Sequence, residues 1–183
     1  MKRTKSEKEI AASKAARRRG LFTAAIAVLV GGLMLALSSE FLTLHCVVAA
    51  AVSLSGGIAA ARAGLPFQPD CARSAGATGG IYTALGYALP FMAYNFARYV
   101  SVNDQTAAER AAALTPEQIA LTEQFNVVVG AEFFRGQDIS YLFGYLLFGL
   151  LFGWLFGMLG GALGGASGAA RNQQTKQRLG NRR

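Results

Sequence analysis

Charged residues are missing from four long stretches of the sequence, and this absence defines the class of protein. The stretches are residues 20–39, 41–61, 74–97 and 139–170, and each has at least 20 residues. A helix needs about 20 predominantly apolar residues to cross the hydrocarbon core of a bilayer. In lipid only helices and closed β-barrels satisfy their backbone polar groups, and these runs lack the alternating pattern of a barrel strand. The sequence therefore predicts an all-α, polytopic membrane protein with four transmembrane helices.

Catalytic and metal-binding patterns are also missing. The two cysteines, Cys46 and Cys71, form no C-x-x-C motif and no cluster with histidine, so neither a disulfide framework nor a zinc site is indicated. No Asp or Glu lies within the four stretches, although acids inside membranes usually mark proton or ion relays. This argues against a proton-coupled exporter or pump. We therefore expect a protein that is not an enzyme and needs no cofactor.

Basic residues are concentrated on one side of the predicted membrane domain. Fifteen of the 18 lie in residues 1–19, 62–73 and 169–183, whereas the segment 98–138 holds three arginines against six acids. The positive-inside rule then places both termini in the cytoplasm. The basic tails lack the interleaved aromatics of a nucleic-acid interface, so we expect anionic lipid headgroups, and no nucleic acid, to be their partner.

This distribution divides the chain into three regions. Residues 1–19 and 169–183 are predicted to be basic cytoplasmic tails, the first of them a surface-lying or frayed helix, and residues 20–168 form the membrane domain. The spans are expected at about 20–39, 41–61, 75–97 and 139–162, with an external loop over residues 98–138. Spans one and two are so close in sequence that they must form an antiparallel hairpin. The pairs Gly31-Gly32 and Gly56-Gly57 would let these two helices approach closely.

The external loop contains the start signal of a helix. Thr115 fits the N-cap, Pro116 the first helical position, and Gln118 the position that completes a capping box. Ile119 and Leu121 begin a modest apolar side. We expect a short amphipathic helix on the outer membrane surface or over the mouth of the bundle.

Five glycines recur at every fourth position of the last apolar stretch. They are Gly149, Gly153, Gly157, Gly161 and Gly165. Such a glycine zipper lets another helix approach closely, whereas packing Leu against Leu instead of acyl chains gains little in lipid. Because the repeat of four exceeds the helical period, the stripe drifts by about 40° per step and suits a steep crossing or two partners at different depths. The partner is either spans one to three or, through a homo-oligomer or larger membrane complex, another chain.

The last stretch is longer than a membrane is thick. The run 139–170 would measure about 48 Å as a helix, against about 30 Å of hydrocarbon. Either the span is strongly tilted, or the helix ends among residues 160–168. We expect the second.

Individual polar residues and one proline are further candidates for function. His45, the only histidine, could ligate haem, a pigment or a metal, but without a second ligand nearby a hydrogen-bonded structural histidine is favoured. Pro90 removes a backbone hydrogen bond from span three and predicts a kink. Interhelical hydrogen bonds would account for the polar residues that remain inside the spans. These are Ser53, Ser55, Thr78, Thr83 and Asn95.

The layout resembles that of small bacterial inner-membrane proteins of the domain-of-unknown-function type. The resemblance covers about residues 20–168 and includes the tight first hairpin, the short cytoplasmic turn and the glycine-rich last span. It also includes the capped segment 114–119. It implies a multi-pass protein of the inner membrane and brings no known activity with it.

Three functional hypotheses follow from these features. The leading one is a non-enzymatic membrane protein that acts through helix–helix association, as an accessory, scaffolding or regulatory subunit. The alternative is a small oligomeric channel or transporter that uses the Pro90 kink and the polar groups of span three. The third is a haem- or pigment-carrying subunit that uses His45.

The predicted topology can be tested by cysteine labelling in intact cells. A membrane-impermeant reagent should reach a cysteine placed at Gln105 and should miss cysteines placed at Ser6 or Gln173, because both tails are expected inside. Labelling of either terminal probe would overturn the arrangement.

Overall fold

The protein is helical over most of the residues that the structure describes, and the all-α prediction is confirmed. The computed structural model describes residues 7–37, 42–64 and 71–180, with side chains for 7–37, 44–64 and 71–168. The predicted hairpin turn at 38–40 and the two prolines of the turn 65–70 lie outside these ranges. The six helices are α1 (Glu7–Ala36), α2 (Leu42–Gly64), α3 (Ala72–Ser101), α4 (Asp104–Ala112), α5 (Pro116–Gln124) and α6 (Ala131–Gly180).

Three of the described helices are long and apolar enough to cross a membrane. They are Glu7–Ala36, Leu44–Gly64 and Ala131–Gly168. This is consistent with a multi-pass membrane protein. The 30-residue helix α3 covers the predicted third span but is not among the three. Its sequence is rich in glycine, threonine and tyrosine, which contribute little hydropathy.

Two helices extend well beyond the expected spans. α1 begins at Glu7 and continues unbroken to Ala36, with Ala12 and Ala16 buried. Residues 7–19 are therefore helical as expected, but they are not the surface-lying or frayed helix that was predicted. α6 runs for 50 residues to Gly180, so the expected helix end among residues 160–168 is also wrong. Charge tells where a membrane ends, but a helix in water can continue through charged residues because its backbone bonds are internal.

The chain divides into two compact units. The first unit comprises Met1–Pro90 and Leu147–Arg183, and the second comprises Phe91–Leu146. α3 and α6 each contribute residues to both units. The two units are described separately below.

In the first unit, α3 touches α1 and α2 through glycines. A Cβ atom placed on Gly86 would lie 2.5 Å from the carbonyl oxygen of Ala24 in α1. One placed on Gly79 would lie 2.7 Å from the carbonyl oxygen of Gly56 in α2. Real Cβ atoms do not come this close, so only glycine permits these contacts between backbones. α3 is therefore buried among its neighbours, which explains how so weakly hydropathic a helix fits this unit.

The expected glycine pairs do not join α1 to α2. The atoms closest to Gly31 belong to Tyr87 of α3, and those closest to Gly56 belong to Thr83 and Gly79 of α3. Gly57 lies against the backbone of Gly157 in α6, and Gly32 has no described atom within 4 Å of a Cβ. The glycines of the first hairpin therefore serve contacts with α3 and α6.

Helix α6 packs against α3 along the repeated glycines. Cβ atoms on Gly153, Gly157 and Gly161 would lie 2.6 Å from the Ile81 Cα, 2.7 Å from the Gly76 oxygen and 2.6 Å from the Ala72 oxygen, respectively. At the two ends of the repeat the nearest atoms are side chains, Leu85 Cδ2 at 3.1 Å from Gly149 and Ala72 Cβ at 2.8 Å from Gly165. The middle of the repeat therefore makes the tightest contact.

A second glycine face of α6 contacts α2. A Cβ on Gly160 would lie 3.0 Å from the Ile58 nitrogen, and one on Gly164 would lie 3.0 Å from the Ile58 oxygen. Sequence analysis did not single out these two glycines. Together the two faces allow α6 to pack against two helices of its own chain.

The second unit contains two short helices where one was expected. The predicted start of α5 is confirmed: Thr115 and Gln118 form the capping box, with Pro116 at the first turn. The backbone N–H of Glu117 and then the Thr115 hydroxyl lower the pKa of the Glu117 carboxyl. α4, which was not predicted, begins with a capping box formed by Asn103 and Thr106. No residue of α5 is buried.

The glycine contacts of α6 can be tested by overpacking. Replacing Gly157 by Leu should destabilise the protein by about 1–3 kcal/mol, because the new side chain would meet the backbones of Gly76 and Gly80. Leu155→Ile is the control, since Leu155 is half exposed. Thermal unfolding of the purified protein in mild detergent measures both changes. Equal stability of the two variants would contradict the importance of the glycine contact.

Candidate functional site

Most polar side chains of the long helices bond to their own helix. Ser53, Thr78 and Asn95 each donate to the carbonyl oxygen four residues earlier, at 2.6, 3.0 and 2.8 Å. Thr83 bonds to its own helix and is also joined to another helix, by a hydrogen bond of 2.8 Å between its hydroxyl and that of Thr23 in α1. The expectation that interhelical bonds account for this set is therefore wrong for most of it. A Ser, Thr or Asn that bonds backward along its helix needs no partner on a neighbouring helix.

His45 meets an aromatic hydroxyl and no second metal ligand. Its Nδ1 lies 2.8 Å from the Tyr87 hydroxyl oxygen of α3, and the two rings are 6.4 Å apart. Within the described ranges no group of three or more His, Cys, Asp or Glu residues could hold a metal ion. Cys46 and Cys71, both half-buried, are not paired. The geometry is that of a histidine linking α2 to α3.

Pro90 lies inside α3, which continues on both sides of it from Ala72 to Ser101. Pro90 is half-buried.

The repeated phenylalanines of α6 are also half-buried, and their rings contact one another. The ring centres of Phe148 and Phe152 are 4.0 Å apart, and those of Phe152 and Phe156 are 5.3 Å apart. These rings contact one another along one side of the helix, as packing side chains do.

The second unit contains a buried carboxylate that sequence analysis did not identify as a site. Asp138 is fully buried, and its two oxygens accept hydrogen bonds of 2.7 and 2.8 Å from the Arg110 guanidinium. Arg98 adds a longer ion pair of 3.5 Å. The Arg110 guanidinium also lies 4.3 Å from the centre of the Phe134 ring. We call Asp138, Arg98 and Arg110 the Asp138 cluster.

The Asp138 cluster joins three helices of the second unit. Arg98 comes from the end of α3, Arg110 from α4 and Asp138 from α6. A bidentate arginine–carboxylate pair is among the strongest charged hydrogen bonds, and burial makes the loss of one partner costly. Val102, Ala107 and Phe134 form a small buried core beside it. The arrangement fixes α4 to the ends of the long helices.

The position of Asp138 explains why the cluster was not predicted from span boundaries that were drawn from charge. The predicted fourth span began at residue 139, so Asp138 was assigned to the loop. It actually lies within α6, one turn after the buried Phe134. Its partners are 28 and 40 residues away in sequence, and no local pattern connects them.

A small-residue face of α6 in the second unit is exposed. Gly136, Ser140 and Gly144 recur at every fourth position, and all three are exposed. A Cβ placed on Gly136 or Gly144 would meet no described atom within 4 Å. The Ser140 hydroxyl donates to the Gly136 carbonyl oxygen at 2.7 Å, so it is satisfied within the helix. We call these three positions the outward small-residue face.

Comparisons with protein-family models, with curated proteins and with solved structures found no match to this chain.

The structural role of the Asp138 cluster can be tested by removing its negative charge. Asp138→Asn keeps the size of the side chain but leaves the 18 %-exposed Arg110 without its counter-ion. We expect a loss of about 3–5 kcal/mol in the free energy of unfolding.

Glu132→Gln is the matched control, because it breaks an exposed arginine pair in which Glu132 is 86 % exposed. Such pairs contribute about 0–1 kcal/mol. Thermal unfolding in mild detergent compares the two variants. A loss at Asp138→Asn no larger than that at Glu132→Gln would show that the cluster does not stabilise the fold.

Proposed function

We propose that the protein is a non-enzymatic, four-span protein of a bacterial inner membrane with both termini in the cytoplasm. In this proposal it acts as an accessory or scaffolding subunit by associating with another transmembrane helix. The outward small-residue face of α6 is the observation that carries the proposal.

The fourth span is assigned to α3. Between Arg73 and Arg98 this helix has no charged residue, and the run 74–97 would measure about 36 Å as a helix. That length exceeds the hydrocarbon thickness of about 30 Å. In the first unit α3 is covered by α1, α2 and α6, so it needs little apolar surface toward lipid. Low hydropathy is therefore compatible with a span in this position.

The cytoplasmic location of the termini rests on charge. The N-terminal part of α1 and the C-terminal part of α6 are basic, and the segment between α3 and α6 is acidic on balance. This is the asymmetry that the positive-inside rule uses. The short helices α4 and α5 would then lie on the outer side.

Association through α6 is supported by the difference between its packed glycines and its exposed small residues. Gly153, Gly157 and Gly161 are packed against α3 and cannot receive another helix. Gly136, Ser140 and Gly144 lie on the same helix at the same spacing, and they have no covering side chain among the described residues. Ser140 and Gly144 fall within the proposed last span of residues 139–162, and Gly136 lies just before it. In lipid, small residues at this spacing let a second helix approach backbone to backbone.

The geometry favours association over a channel. The polar groups of α3 are bonded within their own helix, and the α3–α6 contact brings the two backbones too close for a pore between them.

The test replaces one glycine of the outward small-residue face. Gly144→Leu should abolish or strongly reduce cross-linked and co-purified species from native membranes, because a leucine side chain keeps the neighbouring helix away. The stability of the protein in detergent should hardly change, since a Cβ placed on Gly144 would meet no described atom of another helix within 4 Å. Gly32→Leu in α1 is the matched control: it adds the same side chain where a Cβ also meets no described atom.

The mass and composition of the cross-linked species identify the partner. A cross-linked species of twice the mass of the chain identifies a second copy, and a hetero-complex identifies a different membrane protein. A strictly monomeric protein without partners in native membranes would contradict the proposal. Equal losses of cross-linked and co-purified species for Gly144→Leu and Gly32→Leu would contradict it as well.

A further inference from the structure

We propose that a ring of exposed basic side chains at one end of the first unit binds the phosphate groups of anionic phospholipids. The ring, which we call the basic girdle, comprises Lys14, Arg17, Arg18, Arg19, Arg62 and Arg73. The proposal rests on the membrane location proposed above and adds a partner of defined chemistry. It does not depend on which side of the membrane the girdle faces.

The girdle residues lie at one level of the bundle. Ala16 of α1, Ala60 of α2 and Ala75 of α3 form a common buried cluster, which marks that level on three helices. Each girdle residue is at most three positions from one of these alanines, which is about 5 Å along the helix axis. The six side chains therefore form a band, although they come from three separate parts of the sequence.

α6 passes the same level between two of the arginines. Arg62 donates a hydrogen bond of 3.1 Å to the Ser167 hydroxyl of α6. On the other side, a Cβ on Gly161 would lie 3.0 Å from the Cα of Arg73. Arg62 and Arg73 thus stand on either side of the glycine-rich part of α6, and both side chains are exposed.

The positive charge of the girdle is not neutralised within the described part of the unit. All six side chains are exposed, and none has a carboxylate within ion-pair distance in the described ranges. The acids described in this unit are Glu7 and Glu9, at the beginning of α1. Six cations at one level, without a carboxylate partner among the described residues, attract an anionic partner, and anionic headgroups attract basic segments strongly near the surface.

The apolar surface beside the girdle identifies the partner as lipid. Leu21 and Phe22, directly after the arginines of α1, are 50 % and 58 % exposed, and Leu163 of α6 is 56 % exposed. The Arg19 guanidinium lies 5.4 Å from the centre of the Phe22 ring. A phospholipid matches both surfaces at once, with its phosphate at the arginines and its acyl chains on the apolar side. A nucleic acid would match the charge but leave the apolar surface uncovered.

Arginine is suited to this partner. Its planar guanidinium can donate two parallel hydrogen bonds to phosphate oxygens, whereas lysine offers a single compact charge. Five of the six girdle residues are arginines. We therefore expect binding to depend on the guanidinium groups as well as on net charge.

The experiment uses the full chain, purified in mild detergent and titrated with phosphatidylglycerol, phosphatidylcholine or inorganic phosphate. Native mass spectrometry counts the bound lipids, and the unfolding midpoint reports stabilisation. Phosphatidylglycerol should bind and raise the midpoint, and the other two should do neither at the same concentration. Arg62→Gln with Arg73→Gln should weaken phosphatidylglycerol binding by roughly 25-fold, about fivefold for each charge removed.

Lys8→Gln with Arg178→Gln is the matched control, because it also lowers the formal net charge of +8 by two but leaves the girdle intact. Both residues belong to the basic tails, so this pair should weaken phosphatidylglycerol binding, but much less than the girdle pair does. Arg17→Gln with Arg18→Gln serves as a second test pair if the first pair fails to fold, since no described contact involves these exposed side chains.

Three results would overturn the proposal: equal weakening by the control pair, wild-type binding by the girdle pair, or displacement of the lipid by inorganic phosphate. Failure of the membrane location itself is separate, because it would appear in the cysteine labelling of intact cells and not in this titration.

Discussion

The contact between glycine-bearing helix backbones is the interaction on which the rest of the structure depends. In lipid, burying one apolar side chain against another gains little, so helices must gain from close packing. Gly79 and Gly86 bring α3 against α2 and α1, and Gly157 brings α6 against α3. A side chain at any of these positions would separate the helices. The first unit is therefore built around α3, a long helix that is not among the three apolar enough to cross a membrane.

This packing explains where the remaining chemistry of the chain lies. Thr83 and Asn95 donate hydrogen bonds to carbonyl oxygens of their own helix. These polar side chains are thereby satisfied and lie along the helix, which allows a neighbouring helix to approach closely. Charged side chains are placed where they can be solvated or paired: the basic girdle is exposed, and Asp138 is held by two arginines. The glycines that join α6 to α3 are already occupied, so any further association needs another face of α6.

Local signals predicted local structure well. The cap at Thr115 could be identified because its hydrogen bonds reach only to Gln118. The Asp138 cluster could not, because Arg98 and Arg110 approach it only after the helices have packed. Helix ends were misjudged for a related reason. The basic residues 17–19 were used to place the start of a span, but the helix α1 continues through them.

The sequence by itself determined the helical class, the long apolar segments, the cap of α5 and the spacing of the glycines. Only the tertiary structure decided which neighbour each glycine meets. Gly31 faces α3 rather than α2, and Gly160 and Gly164 form a second face toward α2. A glycine carries no side chain that favours one direction, so its neighbour depends on how the helices cross and rotate. Those angles result from all the contacts together, and spacing along the chain does not specify them.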